Sequence, residues 1–213
     1  MSGKLNGKVA IVTGGGRGIG KAIAEAYSNN GAKVIITAAV HKDEIEKTAS
    51  EINGVSILAD ITKPGDVNNL IDTVIKEFGR IDILVNNAAR GMLFVNDLFM
   101  TEPKPFWESN TENWQMVIDT NVNGTYLMTK AVMPQMLRQK SGRIINISIN
   151  LGTMKRKGFS PYGPSKAALE SMSVIWAQEL EGTGITLNIL LPGGATMTGM
   201  IPPSFPKEKR IIY

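Results

Sequence analysis

Residues 9–20 read Val-Ala-Ile-Val-Thr-Gly-Gly-Gly-Arg-Gly-Ile-Gly, and this stretch decides the fold. Val9 to Thr13 is an unbroken run of aliphatic and β-branched residues, the composition of a strand covered on both faces. It breaks abruptly into glycine, and a helix is expected over residues 18–29. A strand that passes through a glycine turn into a helix N-terminus makes a ready anion cradle. Glycine lets the backbone approach the ligand, and the first helical turn offers free N–H groups with a partial positive charge. The spacing, Thr13-Gly14-x-x-x-Gly18-x-Gly20, is neither G-x-G-x-x-G nor the G-x-x-x-x-G-K-[ST] of triphosphate loops.

Working outward, five more short apolar runs follow: Val34 to Thr37, Val55 to Leu58, Ile81 to Val85, Arg143 to Ser148 and Ile185 to Leu191. Each is continuous rather than alternating, as in a parallel sheet buried on both sides. Helices are predicted between them over 42–52, 65–78, 111–138 and 161–181, with Asn53-Gly54 and Gly79 as helix stops. Such alternation specifies an α/β fold: a Rossmann-like, doubly wound parallel sheet in three α/β/α layers. We read residues 1–213 as one domain with six strands. Residues 90–110 break the rhythm. This segment carries Phe94, Leu98, Phe99, Phe106 and Trp107. It is either a loop packing its own satellite cluster or the wall of a substrate pocket.

Composition excludes several chemistries. The 213 residues include no Cys, so thiolate nucleophiles, thiolate metal sites and disulfides are ruled out. The single His41 leaves no poly-His metal site or Ser-His-Asp triad, and no metal is expected. The net charge of +4 is scattered, so a nucleic-acid partner is not expected. The one basic run, Lys155-Arg156-Lys157, is a solvated loop or a patch for an acidic ligand. No apolar run approaches membrane length, and Met1 to Thr13 lacks the core of a leader peptide. A soluble, cytoplasmic protein without a membrane partner is expected.

Five motifs then occur in order. The glycine turn is followed by Asn86-Asn87-Ala88-Ala89, Asn121, Tyr162-Gly-Pro-Ser-Lys166 and Pro192-Gly193. Together they resemble the short-chain dehydrogenase/reductase family across residues 8 to about 200. The resemblance implies hydride transfer between a nicotinamide cofactor and a ketone or secondary alcohol, in a homo-oligomer. It implies catalytic roles for Tyr162, Lys166, Asn121 and Ser148. Its implied cofactor contacts are Thr13, Gly14, Gly16, Arg17, Gly18, Ile19, Gly20, Asp60, Ile61, Asn87, Ala88, Tyr162, Lys166, Pro192 and Gly193. Tyr162 and Lys166 are four apart and share one helix face. The ammonium, together with a positive nicotinamide ring, is expected to lower the phenol pKa so that Tyr162 acts as general acid or base. In the family, Lys166 also holds the nicotinamide ribose, and Asn121 shapes the mid-helix backbone and holds a relay water.

The cofactor choice rests on Thr37-Ala38-Ala39-Val40-His41-Lys42, which holds no acid before Asp43. A carboxylate at that strand end would bind the ribose diol of NAD. Its absence, with Arg17 and His41 or Lys42 close by, favours NADP(H), NAD(H) remaining possible. Two departures stand out. The family serine lies thirteen positions before the tyrosine, which here is Ile149. Ser148 sits one residue early, so it faces the wrong way unless the strand end bends or bulges. The family also continues into another helical region and a seventh strand, whereas this chain stops at Tyr213. Both departures support an alternative, a cofactor-binding protein with little or no turnover. The apolar 90–110 segment hints at a hydrophobic substrate.

Overall fold

The computed structural model describes residues 3–192, Met200 and Pro202. Six parallel strands form one sheet: β1 (Val9–Thr13), β2 (Lys33–Ala38), β3 (Val55–Leu58), β4 (Ile83–Asn86), β5 (Gly142–Ile147) and β6 (Ile185–Leu190). Their order is β3-β2-β1-β4-β5-β6. The chain winds outward from β1 in one direction, then crosses to β4 and winds in the other. The switch point therefore lies between the carboxyl ends of β1 and β4, where open α/β sheets bind ligands.

The continuous apolar runs split cleanly between two cores. Ile11, Ile35, Leu84 and Ile144 point to one face, against α3 (Pro64–Phe78) and α5 (Thr125–Gln139). Ala10, Val12, Val34, Ile36, Ile83 and Val85 point to the other, against α1 (Gly18–Asn29) and α2 (Lys42–Glu51). Successive strand residues face opposite sides, so a sheet covered twice needs apolar residues at every position.

The helix starts and stops follow local chemistry. Pro64 opens α3, and Gly79 closes it in the left-handed region with φ of 70°. Where one helix is expected over 111–138, the chain forms α4 (Thr111–Ile118), a π-helical segment (Asp119–Gly124) and then α5. The 90–110 segment contains two 3₁₀ turns, Met92–Phe94 and Phe106–Glu108. A short α6 (Leu151–Met154), absent from the sequence reading, precedes α7 (Tyr162–Glu179). Among the described residues no helix is long and apolar enough to cross a membrane, and no cluster of three potential metal ligands occurs.

One carboxylate pins the far end of the sheet. Asp82 is 5% exposed and accepts from the backbone N–H of Val9 at 2.9 Å. Arg80 grips it from two nitrogens at 2.8 and 2.7 Å, and Lys8 adds a contact at 3.4 Å. Its backbone also joins β1 and β5, donating to Val9 O and accepting from Arg143 N–H. Burial raises the carboxyl pKa, but these donors and charges outweigh it and hold Asp82 below the ordinary carboxylate range. A depressed folded-state pKa contributes stability above the unfolded value that is lost as pH falls through the folded one. We expect Asp82→Asn to cost about 2 kcal/mol at neutral pH. The urea midpoints of variant and wild type should converge as pH drops below about 4. A difference unchanged down to that pH would show that the charge of Asp82 is immaterial.

Candidate active site

The glycine turn crosses the switch point against the end of β4. Gly14 has φ of 65°, and a side chain there would crowd Ala88 and the Asn87 amide. A Cβ on Gly20 would collide with the Gly14 carbonyl. Both positions therefore demand glycine. Arg17, the N-cap of α1, is extended and makes no side-chain cap, so the first N–H groups of this helix have no side-chain acceptor from their cap.

Thr13, expected among the cofactor contacts, lies behind the wall instead. It is fully buried, and its hydroxyl donates to Val85 O and accepts the N–H groups of Asn87 and Ala88, both at 3.0 Å. The Asn87 amide returns the contact, donating to Thr13 O at 2.9 Å and Gly14 O at 3.1 Å. A cavity of about 760 Å³ opens above this staple. Gly14, Gly16, Arg17, Gly18, Ile19, Gly20, Asp60, Ile61, Asn87, Ala88, Ser148, Tyr162, Lys166 and Pro192 all line it. Gly193 lies outside the described residues.

At the second-strand end, Arg17 and His41 line the cavity, whereas Lys42 turns away to pair with Glu46 at 3.6 Å. An acid unrecognised in the sequence lies between them. Glu44 Oε1 is 3.3 Å from Arg17 Nη1 and 3.9 Å from His41 Nδ1. The strand end itself carries no carboxylate, and the acid arrives from the first turn of α2. Its helical position was the signal. Asp60 accepts from the Thr62 N–H and hydroxyl at 3.0 and 2.7 Å. Burial opposes its charge, but these bonds with the charges of Lys63 and Arg90 keep its pKa below the ordinary value.

Tyr162 opens α7, and Lys166 follows one turn later. Lys166 Nζ donates to Ile147 O at 2.7 Å and stands 5.9 Å from the centroid of the Tyr162 ring. Burial pushes the Lys166 ammonium down to about 8, resisted by the charge of Glu170. Burial pushes the Tyr162 phenol up to about 12. Desolvation of the phenolate thus acts upward on the phenol, opposite to the lowering expected from the ammonium together with the nicotinamide ring. These directions favour a neutral phenol and weaken the charge on the lysine.

Ser148 is buried, and its hydroxyl donates to Glu170 Oε1 on α7 at 2.6 Å. The strand end does not bend to release it: Ser148 N–H still pairs with Leu190 O. Ile149 lines the cavity without a polar side-chain atom. Asn121 lies inside the π-helical segment and does not line the cavity. Its side chain accepts from Arg90 N–H at 2.8 Å and donates to Arg90 O at 3.0 Å and Ser165 Oγ at 2.9 Å. Asn121, expected to shape the mid-helix backbone, lies in its irregular stretch, and its side chain ties the start of the 90–110 segment to α7.

Both readings of the 90–110 segment hold. Met92 and Phe99 form a satellite cluster with Phe159, the two rings meeting edge-on at 5.3 Å, and Tyr162 packs against it. The same residues, with Leu93, Phe94 and Met100, wall the cavity. Of the basic run only Arg156 reaches the cavity, its guanidinium 5.3 Å over the Phe159 ring.

Known proteins share this arrangement. The family model described as short chain dehydrogenase matches residues 8–209. The 3-oxoacyl-acyl-carrier-protein reductase of a Synechocystis strain is 39% identical over 194 residues, covering 89% of this chain and 74% of that protein. Its counterpart in Escherichia coli K12 is 36% identical over 191 residues, with the same shares. Among solved structures, a metagenomic short-chain oxidoreductase in complex with NADP superposes with a TM-score of 0.80 at 31% identity, covering 89% of this chain and 84% of that one. NAD+-bound xylitol dehydrogenase gives 0.78 at 29% identity, covering 89% and 71%. Because the family match runs from the first strand to beyond the sixth, across the whole cavity, the chain belongs to the short-chain dehydrogenases, a family of oxidoreductases.

Proposed function

We propose that this chain is an NADP(H)-dependent reductase of ketones bearing an apolar substituent, with Tyr162 as the proton donor. The observation that carries the reading is geometric: Tyr162 and Lys166 stand one helical turn apart, Nζ 5.9 Å from the ring centroid, in one cavity with the glycine turn.

The residues present fit a dinucleotide. The N-terminus of α1 offers N–H groups for a pyrophosphate, and the glycines leave room for close approach. Asp60 and Ile61 wall the far end, and Tyr162 and Lys166 the near end. When bound, the reduced nicotinamide supplies the hydride. Tyr162 donates its proton to the carbonyl oxygen, and Lys166 stabilises the phenolate that remains. Met92, Leu93, Phe94, Phe99 and Met100 exclude water and hold an apolar substituent. The 3-oxoacyl substrates in the relatives' names agree with a ketone on an apolar chain. The exposed Tyr126, Val174 and Ile175 on α5 and α7 support a homo-oligomer.

One set of contacts favours a second reading, a cofactor-binding protein of low turnover. Ser148 is committed to Glu170, and Ile149 offers no donor. Reduction of a ketone panel at saturating NADPH separates the two, because the second reading requires cofactor binding without product.

Tyr162→Phe is expected to lower ketone reduction by about 10³-fold while leaving NADPH binding intact. In the wild type, reduction should hold steady below pH 8 and fall as pH rises through about 8, where Lys166 loses its charge. Full activity in Tyr162→Phe would remove the proton donor from the scheme.

Cofactor choice turns on the Arg17–Glu44 pair. Arg17→Ala should weaken NADPH binding by about tenfold and NADH binding less. Glu44→Gln, by freeing the guanidinium, should tighten NADPH selectively. Fluorescence titration of both cofactors measures this, and equal affinities in wild type and both variants would overturn the assignment.

A further inference from the structure

The site has an unfilled requirement: a hydroxyl to hold the substrate oxygen in place of the one missing at residue 149. Three side chains of the β5–α6 turn stand near enough in sequence to supply a donor. Ser148 is committed, its hydroxyl hydrogen directed to Glu170 at 2.6 Å. Asn150 is exposed and spends its amide oxygen capping α6, accepting the Thr153 N–H at 2.9 Å. Thr153 is half-buried and lines the cavity, yet its hydroxyl makes no hydrogen bond with any described residue.

The local backbone explains how residue 153 comes to that wall. The Asn150 cap starts α6 directly after β5, and one helical turn carries Thr153 back over the strand's carboxyl end. The next residue, Met154, is buried, and its carbonyl packs so closely against Gly163 that a side chain there would collide. Gly163 immediately follows Tyr162. The turn bearing Thr153 is thus seated against the first turn of α7, which bears the phenol.

We infer that Thr153 supplies the hydroxyl that hydrogen-bonds the substrate's carbonyl oxygen, the function Ile149 cannot perform. The inference rests on the reductase reading above and adds a substrate-orienting residue to it. Oxygen accepts two hydrogen bonds, so a carbonyl held by Thr153 can still take the proton of Tyr162. A hydroxyl has no charge to desolvate, so it can hold an oxygen in this cavity without the cost of burying an ion.

The test uses the intact chain with NADPH and ethyl acetoacetate as the probe ketone. Thr153→Val preserves shape and removes the hydroxyl; kcat/KM should fall by about 100-fold. NADPH titration without ketone and the melting temperature should stay at wild-type values, which a merely structural residue would not permit. Ser148→Ala and Asn150→Asp, the latter keeping the cap, should each cost less than about fivefold. Adding Ile149→Ser to Thr153→Val should restore at least a tenth of the lost activity, because the new hydroxyl takes over the same oxygen. Retention of more than half the activity in Thr153→Val overturns the inference, as does a larger loss in Ser148→Ala or Asn150→Asp. No reduction by the wild type, with NADPH bound, overturns the reductase reading and this inference together; reduction that survives in Thr153→Val overturns this inference alone.

Discussion

Everything in this cavity depends on one buried hydroxyl. Thr13 joins the ends of β1 and β4 at the place where the chain reverses its winding, donating once and accepting twice. Both strands end there with backbone groups that no ladder can satisfy, because the next neighbour in sequence lies on the far side of the sheet. The Thr13 hydroxyl and the Asn87 amide satisfy them from both directions. The glycine turn and the Asn87-Ala88 turn are thereby held at van der Waals distance, which is why Gly14 and Gly20 admit no side chain. The floor of the ligand cavity is a hydrogen-bonded seam before it is a binding surface.

Much of this was legible in the sequence because it is local. Continuous apolar runs gave six strands, Gly79 marked a helix end, and the spacing of Tyr162 and Lys166 placed them on one face. The misses have a common origin in contacts between distant segments. Thr13 reads as a ligand contact because its partners, Val85 to Ala88, are more than 70 residues away. Glu44 is not legible as a cofactor-end acid because it belongs to the first turn of α2 and reaches Arg17 and His41 only through the fold. The π-helical segment has no local signature, since Asp119–Gly124 is compatible with an ordinary helix. Its cause is tertiary: Asn121 is drawn to the Arg90 backbone and to Ser165.

The pairing of Tyr162 with Lys166 illustrates how burial and charge compete. Spacing alone suggests an ammonium that ionises the phenol. The structure spends the lysine's closest hydrogen bond on Ile147 O and buries the lysine, while Tyr162 is half-buried. Desolvation disfavours the phenolate and the ammonium alike, moving the phenol pKa up and the ammonium pKa down. Both shifts favour the neutral forms, and the charge of Glu170 opposes the one on Lys166. Glu170 therefore serves two masters, restraining Ser148 and sustaining Lys166.

The π-helical segment carries a consequence for how the chain tolerates change in length. A π turn houses an additional residue within an otherwise α-helical rod. Each residue in such a rod turns the chain by about 100° and advances it 1.5 Å. Deleting one residue between Asp119 and Gly124 would let the helix run regularly from Thr111 to Gln139, a local gain in hydrogen bonding. It would also rotate α4 about the axis of α5, carrying Asn121 off Arg90 and the 90–110 wall away from α7. The irregularity thus acts as a phase adjustment between α4 and α5, and the π-helical segment itself places Thr120 on the cavity wall.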